Sequence, residues 1–161
     1  MDSHVVLAAV RGCVEAGWSA LRFNFGGVGT SQGGYTGGVE EIADARAAVV
    51  ALRAALPADA PLAIVGYSFG AWVGAQAARE LPGVRRVIAI APPLRVFQWP
   101  FAADLGVPLT VVVGDRDTFC PRDRLDALLA ATGAELVVVE GADHFFGAGA
   151  DAVAQAVRER L

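Results

Sequence analysis

The stretch Leu62-Ala63-Ile64-Val65-Gly66-Tyr67-Ser68-Phe69-Gly70 decides the fold of this chain. An apolar run rich in branched residues ends at Gly-x-Ser-x-Gly, and a helical pattern begins immediately afterwards. This order predicts a strand, a sharp turn and a helix, with one hydroxyl group at the apex. The two glycines allow the turn because neither adds a Cβ where the strand and the helix crowd together. We therefore expect Ser68 to be strained and to stand exposed above a sheet.

The composition predicts one soluble domain with a sizeable core. The 161 residues are about one domain's worth, so we expect a single domain spanning 1–161. Hydrophobic residues make up 55% of the chain, but no apolar run approaches the about 20 residues that a membrane span needs. The net charge is −4 and the 13 basic residues, all arginine, are scattered, which argues against nucleic acid as a partner. The start of the chain lacks a basic leader, so we expect a cytoplasmic location.

Neither a metal nor an organic cofactor is predicted. Cys13 and Cys120 lie far apart in the sequence and in no metal-binding or redox spacing. The glycine-rich loop that begins at Gly26 resembles a dinucleotide fingerprint only superficially. In Gly27-x-Gly29-x-x-Gln32 the sixth position is not glycine, and helical spacing resumes only after Gly38.

Strands and helices are predicted to alternate along the chain. The first helix begins after Asp2 or Ser3, and Gly17 is placed to end it. Strands are predicted over 21–25, 62–66, 84–91, 109–113 and 135–139, and further helices over 39–56, 69–81, 121–133 and 150–161. Continuous apolar strands that alternate with helices favour a parallel sheet covered on both faces. The expected fold class is therefore α/β, a three-layer sandwich with about five parallel strands.

The loops that follow the strands carry the reactive side chains. In a parallel sheet these loops share one edge, which is where ligands bind. Ser68 follows one strand, Asp115 and Asp117 follow the strand 109–113, and His144 follows the last strand. This arrangement predicts that the hydroxyl, the carboxylates and the imidazole lie close together.

The chain offers a base for the serine and two candidate carboxylates for that base. A serine hydroxyl becomes a good nucleophile when a neutral imidazole takes its proton. His144 lies at the predicted edge, whereas His4 is expected to be a solvated residue of the first helical turn. The imidazole in turn needs a carboxylate on its far nitrogen. We favour Asp117, which reaches further toward the histidine loop, over Asp115, which lies closer to the strand end.

Three motifs in this order resemble the α/β-hydrolase superfamily. They are the elbow Gly66-Tyr67-Ser68-Phe69-Gly70, then Gly114-x-x-Asp117, then Asp143-His144-Phe145-Phe146. Residues 21–31 and 90–93 extend the resemblance over nearly the whole chain, and more narrowly the chain resembles small bacterial hydrolases related to dienelactone hydrolases. The resemblance implies that Ser68 is the nucleophile, His144 the base and Asp117 its orienting carboxylate. It also implies that the amide of Phe69 is one oxyanion donor.

The chain departs from the superfamily pattern in two ways. The usual sheet begins with three strands before the first helix, and the loop after the third strand supplies the second oxyanion donor, but this sequence starts at the helix. Gly26 stands where related sequences usually carry arginine. We expect strand 21–25 to pair directly with strand 62–66, which would make the amide of Gly26 or Gly27 the second donor. Homodimerisation across the exposed edge strand is the competing repair.

The resemblance implies an esterase that uses a small-molecule ester and forms an acyl-enzyme at Ser68. Only residues 92–106 are available where larger members insert a cap, so we expect no cap domain and a preference for short acyl chains. The expected substrate pocket consists of aromatic residues: Tyr67, Phe97, Trp99, Phe101 and Phe145. The alternative for the middle three rings is that they complete the core. The alternative function is a weakly active or inactive hydrolase fold that serves binding or assembly.

Overall fold

The computed structural model describes residues 3–161 and contains a parallel sheet of four strands. The strands are β1 (Leu62–Tyr67), β2 (Val84–Ile90), β3 (Leu109–Gly114) and β4 (Glu135–Val139). They lie in the order β1-β2-β3-β4, and each neighbouring pair is parallel. β3 is buried along its whole length because it lies inside the sheet, which explains its continuous apolar sequence. The parallel α/β fold predicted from the sequence is confirmed.

Helices cover both faces of the sheet. One face carries α1 (His4–Glu15) and α5 (Ala150–Arg158), which pack against each other. The other face carries the remaining helices: α2 (Val39–Ala54), α3 (Phe69–Ala78), α4 (Arg122–Thr132) and a short 3-10 helix (Pro100–Asp104). The three-layer arrangement is therefore also confirmed. Asp2, one of the two residues predicted to cap α1, lies outside the described residues, and Ser3 makes no side-chain cap hydrogen bond.

The two large clusters of the core lie on opposite sides of the sheet, because successive strand residues point to opposite faces, and a small third cluster lies between α2 and α3. Ile88 and Ile90 of β2 pack with Val5 and Val153 under α1 and α5. Val87 and Ala89 of the same strand belong to the cluster under α3 and α4. The sheet is thus fixed from both sides, and its carboxyl edge carries the loops that hold the reactive residues.

The predicted strand 21–25 is not a strand, so the sheet has four strands instead of about five. Within residues 3–161, β1 pairs only with β2. Leu21 and Phe23 are exposed. Ring contacts position the segment: the ring centroids of Phe23 and Phe25 are 5.2 Å apart, and those of Phe25 and Phe69 are 5.7 Å apart. The alternating residues therefore belong to a segment outside the sheet whose aromatic side chains pack near the elbow. Pairing of this segment with β1 was wrong, and a homodimer across the β1 edge stays a prediction.

A buried carboxylate ties the glycine-rich loop to α2. Glu41 accepts hydrogen bonds from the amide of Thr36 (2.9 Å), the hydroxyl of Thr36 (2.7 Å) and the amide of Gly38 (2.8 Å). Burial disfavours the ionised carboxylate, but these hydrogen bonds outweigh it and lower the pKa of Glu41 to about 2. Gly38 has φ 110°, and a Cβ there would overlap the ring of Trp72. The end of the loop is therefore fixed against α2 and α3.

Across residues 3–161, none of the helices has both the length and the hydropathy of a membrane-spanning helix. In the same range, no three or more His, Cys, Asp or Glu side chains are grouped so that they could hold a metal ion.

Candidate active site

Ser68 occupies the sharp turn between β1 and α3. Its φ is 52° and its ψ −120°, a conformation that costs a non-glycine residue on the order of 1–3 kcal/mol. The turn is held because the amide of Ser68 donates to the carbonyl of Ile90 on β2 at 2.9 Å. The hydroxyl makes no cap hydrogen bond to α3, although serine often does so at a helix start. It is therefore available to another partner.

The two glycines of the elbow differ in how much room surrounds them. A Cβ on Gly66 would overlap the carbonyl oxygen of Gly70 and lie 2.6 Å from the Cα of Ala71. A Cβ on Gly70 would meet only Phe25, at 4.0 Å. The sequence motif predicts that the turn needs both glycines. In the structure, the close approach of β1 and α3 depends on Gly66 alone of the two.

Gly66→Ala is expected to lower the free energy of unfolding by about 1–3 kcal/mol, because the backbone of α3 must move away from β1. Gly70→Ala is the matched control. Its methyl group fits, and alanine favours a helix over glycine by about 1 kcal/mol, so stability should hold or rise slightly. Urea unfolding followed by circular dichroism measures both variants. A Gly70 variant as unstable as the Gly66 variant would contradict this account.

A chain of hydrogen bonds joins Ser68, His144 and Asp117. Ser68 Oγ lies 2.9 Å from His144 Nε2, and His144 Nδ1 lies 2.9 Å and 3.1 Å from the two carboxylate oxygens of Asp117. An ionised carboxylate can only accept, so Nδ1 carries the proton and donates it. Nε2 is then the acceptor for the hydroxyl of Ser68. The structure thus brings together the three residues that the sequence singled out.

Asp117, and not Asp115, faces the imidazole. The side chain of Asp117 is fully buried, and its Oδ1 also accepts the amide of Phe119 at 2.8 Å. Asp115 is exposed and lies outside the hydrogen-bond chain. Gly114 lets the two loops meet, because a Cβ there would lie 2.6 Å from the carbonyl carbon of Ala142. The geometry therefore agrees with the preference for Asp117.

The loop that carries His144 is anchored from three sides. The ring of Phe146 is completely buried in the core cluster under α1 and α5. The hydroxyl of Tyr67 donates to the carbonyl of His144 at 3.2 Å. His4 Nε2 lies 2.6 Å from the carbonyl of Phe145, to which it must donate. His4 is exposed in the first turn of α1, as expected, but the sequence did not predict that it also holds the residue that follows His144.

Two phenylalanine rings stand beside the imidazole. The ring of Phe119 is centred 4.6 Å from that of His144, and the ring of Phe145 is centred 5.4 Å from it. Phe145 was expected in the substrate pocket, but sequence reasoning missed Phe119. Its position two residues after Asp117 was the available signal, since an aspartate often accepts the amide two residues on.

Of the other predicted pocket rings, Tyr67 packs on the imidazole of His144, and the remaining three pack on neighbouring aromatic rings. Trp99 is only 8% exposed and stacks on Phe101, with ring centroids 5.5 Å apart. Phe97 stacks on Trp72, with ring centroids 4.6 Å apart. Trp99 belongs to the core, which is the alternative that the sequence left open. A cavity of about 430 Å³ lies between these rings and α4, and Phe97, which lines it, also packs on Phe69 at 5.6 Å. None of Ser68, Asp117 and His144 lines that cavity.

The amides predicted to supply the second oxyanion donor are already in use. The amide of Gly26 donates to a carboxylate oxygen of Asp44 at 2.8 Å, and that of Gly27 donates to the carbonyl of Gln32 at 3.2 Å. The expected role depended on strand 21–25 joining β1, which does not happen. Phe69 differs because it is the first residue of α3, and the first amides of a helix have no partner within it.

Neither cysteine is a competing nucleophile. Cys120 is buried near Asp117; burial, and then the charge of that carboxylate, raise the pKa of its thiol to about 12. Burial also raises the pKa of Cys13. Both thiols therefore stay protonated near neutral pH, and the thiolate is the reactive form.

Comparisons with known proteins give likenesses that cover the whole chain. Residues 1–152 match the family model described as the alpha/beta hydrolase domain. An uncharacterized protein of Rickettsia prowazekii is 32% identical over 171 residues, which cover 100% of this chain and 72% of that protein. A solved alpha-beta serine hydrolase homologue from Coxiella burnetii is 32% identical with a TM-score of 0.88, covering 100% of this chain and 77% of that one. A solved serine hydrolase without lid from Xanthomonas campestris is 31% identical with a TM-score of 0.87, covering 99% and 72% of the two chains.

Proposed function

The chain belongs to the alpha/beta hydrolase family, and on that premise we propose that it is a serine hydrolase that cleaves carboxylic esters. The observation that carries the proposal is the hydrogen-bond chain from Ser68 through His144 to Asp117, with donor–acceptor distances of 2.9 Å at both links. A buried carboxylate, an imidazole and a serine hydroxyl at hydrogen-bond distance are the parts that nucleophilic acyl transfer requires.

Each of the three residues has a distinct role in the proposed reaction. Ser68 Oγ attacks the ester carbonyl while His144 Nε2 takes its proton. The tetrahedral intermediate collapses, the proton passes from Nε2 to the departing alcohol, and the acyl group remains on Ser68. Water then attacks this acyl-enzyme while His144 takes one of its protons, and as the bond from the acyl carbon to Ser68 Oγ breaks, Nε2 returns that proton to Oγ and the carboxylic acid leaves. Asp117 holds the imidazole in the required tautomer and stabilises the imidazolium that forms twice in the cycle.

The negative charge of the tetrahedral intermediate needs hydrogen-bond donors. We assign one to the amide of Phe69, because it starts α3 next to the nucleophile. The positive end of the dipole of α3 adds to this stabilisation. We assign no such role to the amides of Gly26 and Gly27, since the first already donates to Asp44 of α2 and the second to the carbonyl of Gln32.

A fluorophosphonate probe tests the proposal directly, because it reacts only with an activated serine. The wild-type protein should be labelled at Ser68, as located by mass spectrometry of the digested protein. Ser19→Ala, at an exposed serine after α1, should label like the wild type. Absence of labelling in a folded wild-type protein would overturn the proposed function.

We also propose that the enzyme prefers short acyl chains. The segment 92–106 contains only a short 3-10 helix, and Trp99, Ala102 and Leu105 of this segment are buried in the core. The 430 Å³ cavity beside Phe97 is lined by none of Ser68, Asp117 and His144, so it lies apart from the atom to which the acyl chain would be bonded. Acetyl and butyryl esters of 4-nitrophenol should therefore have higher kcat/KM values than the decanoyl ester. Faster hydrolysis of the decanoyl ester would show that the cavity accepts the chain.

One observation favours a second function, that of a weakly active fold used for binding. With Gly26 and Gly27 engaged elsewhere, Phe69 alone is left among the predicted oxyanion donors. One such donor is typically worth about 10² to 10³ in rate. Labelling of Ser68 without measurable turnover of any short-chain ester would favour this alternative.

A further inference from the structure

Two phenylalanine rings beside His144 remain exposed although they pack against its imidazole. Phe119 is 38% exposed and its ring plane is tilted 42° from the imidazole. Phe145 is 58% exposed and meets the imidazole edge-on, at 90°. Large apolar side chains that stay exposed next to a reactive group mark a surface that a ligand can cover.

The backbone holds both rings in place. The amide of Phe119 donates to Asp117 Oδ1 at 2.8 Å, and its carbonyl accepts the amide of Arg95 at 2.9 Å. The carbonyl of Phe145 accepts His4 Nε2 at 2.6 Å. The exposed rings are therefore carried by anchored backbone segments, so a ligand that contacts them need not order the backbone.

The proposed reaction determines which part of a substrate reaches these rings. When the acyl-enzyme forms, the departing alcohol oxygen must take a proton from His144 Nε2, so it must come within about 3 Å of that atom. The substituent on this oxygen then lies beside the imidazole. The acyl group, in contrast, is bonded to Ser68.

We propose that Phe119 and Phe145 form a subsite for the alcohol portion of the substrate, and that the preferred substrates are esters of aromatic alcohols. This inference rests on the proposed function and names the leaving group of that same site. An aromatic group can meet the two rings edge-on or offset, which adds to the gain from burying apolar surface. A saturated group of the same size gains only from burial.

Three acetate esters test the inference: benzyl acetate, cyclohexylmethyl acetate and ethyl acetate. All three form the same acetyl-enzyme and release alkanols of similar reactivity, so kcat/KM compares how the leaving group is bound during acylation. The kcat/KM value of benzyl acetate should be about tenfold higher than that of ethyl acetate. It should also be about threefold higher than that of cyclohexylmethyl acetate. Equal kcat/KM values for the benzyl and cyclohexylmethyl esters would overturn the inference.

Variants of the two phenylalanines test whether their rings cause the preference for the benzyl ester. Phe119→Leu and Phe145→Leu keep an apolar side chain but remove the ring, so each should lower the ratio of benzyl to cyclohexylmethyl kcat/KM toward one. Tyr35→Leu is the matched control, since Tyr35 is an exposed ring, 70% exposed, that contacts Phe69 at 5.5 Å. Its ratio should equal that of the wild type. An unchanged ratio in both phenylalanine variants, or a lowered ratio in the Tyr35 variant, would overturn the assignment of the subsite.

Failure of the inference and failure of the proposed function give different results. Turnover of ethyl acetate together with labelling of Ser68, but without a benzyl preference, rejects the aromatic subsite and leaves the serine hydrolase standing. Absence of labelling and of turnover with all three esters rejects both.

Discussion

Ser68→Ala is expected to reduce ester turnover by about 10⁶-fold or to below detection, because the acyl group then has no oxygen to bond to. The fold should persist. The hydroxyl makes no cap hydrogen bond to α3, and its partner is the imidazole of His144. Alanine keeps the Cβ of serine, so the backbone strain at a φ of 52° is the same in the variant. The unfolding temperature should therefore change by only a few degrees. Hydrolysis of 4-nitrophenyl acetate and thermal unfolding by circular dichroism measure the two effects.

Ser19→Ala is the control for this experiment, because Ser19 is exposed and follows α1, away from the elbow. It should keep wild-type turnover. A Ser68→Ala protein that retains more than about one-hundredth of the wild-type kcat would assign the activity to another nucleophile. Neither thiol is a good candidate for that role, since burial raises the pKa of both Cys13 and Cys120.

The parts of the fold that could be predicted from the sequence are those with local causes. The elbow depends on a glycine where β1 meets α3, and the strain at Ser68 follows from the sharpness of that turn. The buried strands are readable because a strand covered on both faces is apolar at nearly every position. The meeting of Ser68, Asp117 and His144 follows from one topological fact, that the ends of parallel strands share an edge.

The errors and omissions of the sequence predictions arise where the structure depends on partners that are distant in the sequence. Residues 21–25 have an alternating pattern, but a strand also needs a neighbouring backbone, and β1 does not provide it. His4 lies 141 residues from Phe145, so its hydrogen bond to that carbonyl could not be inferred from spacing. The sequence could not decide whether Trp99 lies in the core or in a pocket, because an apolar ring fits both. Only the packing in the structure places it in the core.

Asp117→Asn is expected to lower kcat by about 10⁴-fold through the wrong tautomer of His144. The amide of Phe119 donates to Asp117 Oδ1, and the oxygen of an asparagine would keep that hydrogen bond. The amide nitrogen then faces His144 Nδ1, 2.9 Å away in the wild type. This nitrogen can only donate and takes the position closer to Nδ1, so the favoured state has Nδ1 as the acceptor and the imidazole proton on Nε2. In that state Nε2 cannot take the proton of Ser68.

Asp115→Asn is the matched control, because it makes the same chemical change two residues away on an exposed side chain. It should keep kcat within about twofold of the wild type. The loss in Asp117→Asn should appear in kcat and in the rate of fluorophosphonate labelling, while KM changes little, because the carboxylate does not touch the substrate. Equal losses at the two aspartates would refute the assignment of Asp117. A loss confined to KM would instead mean that Asp117 acts through the shape of the loop that carries Phe119.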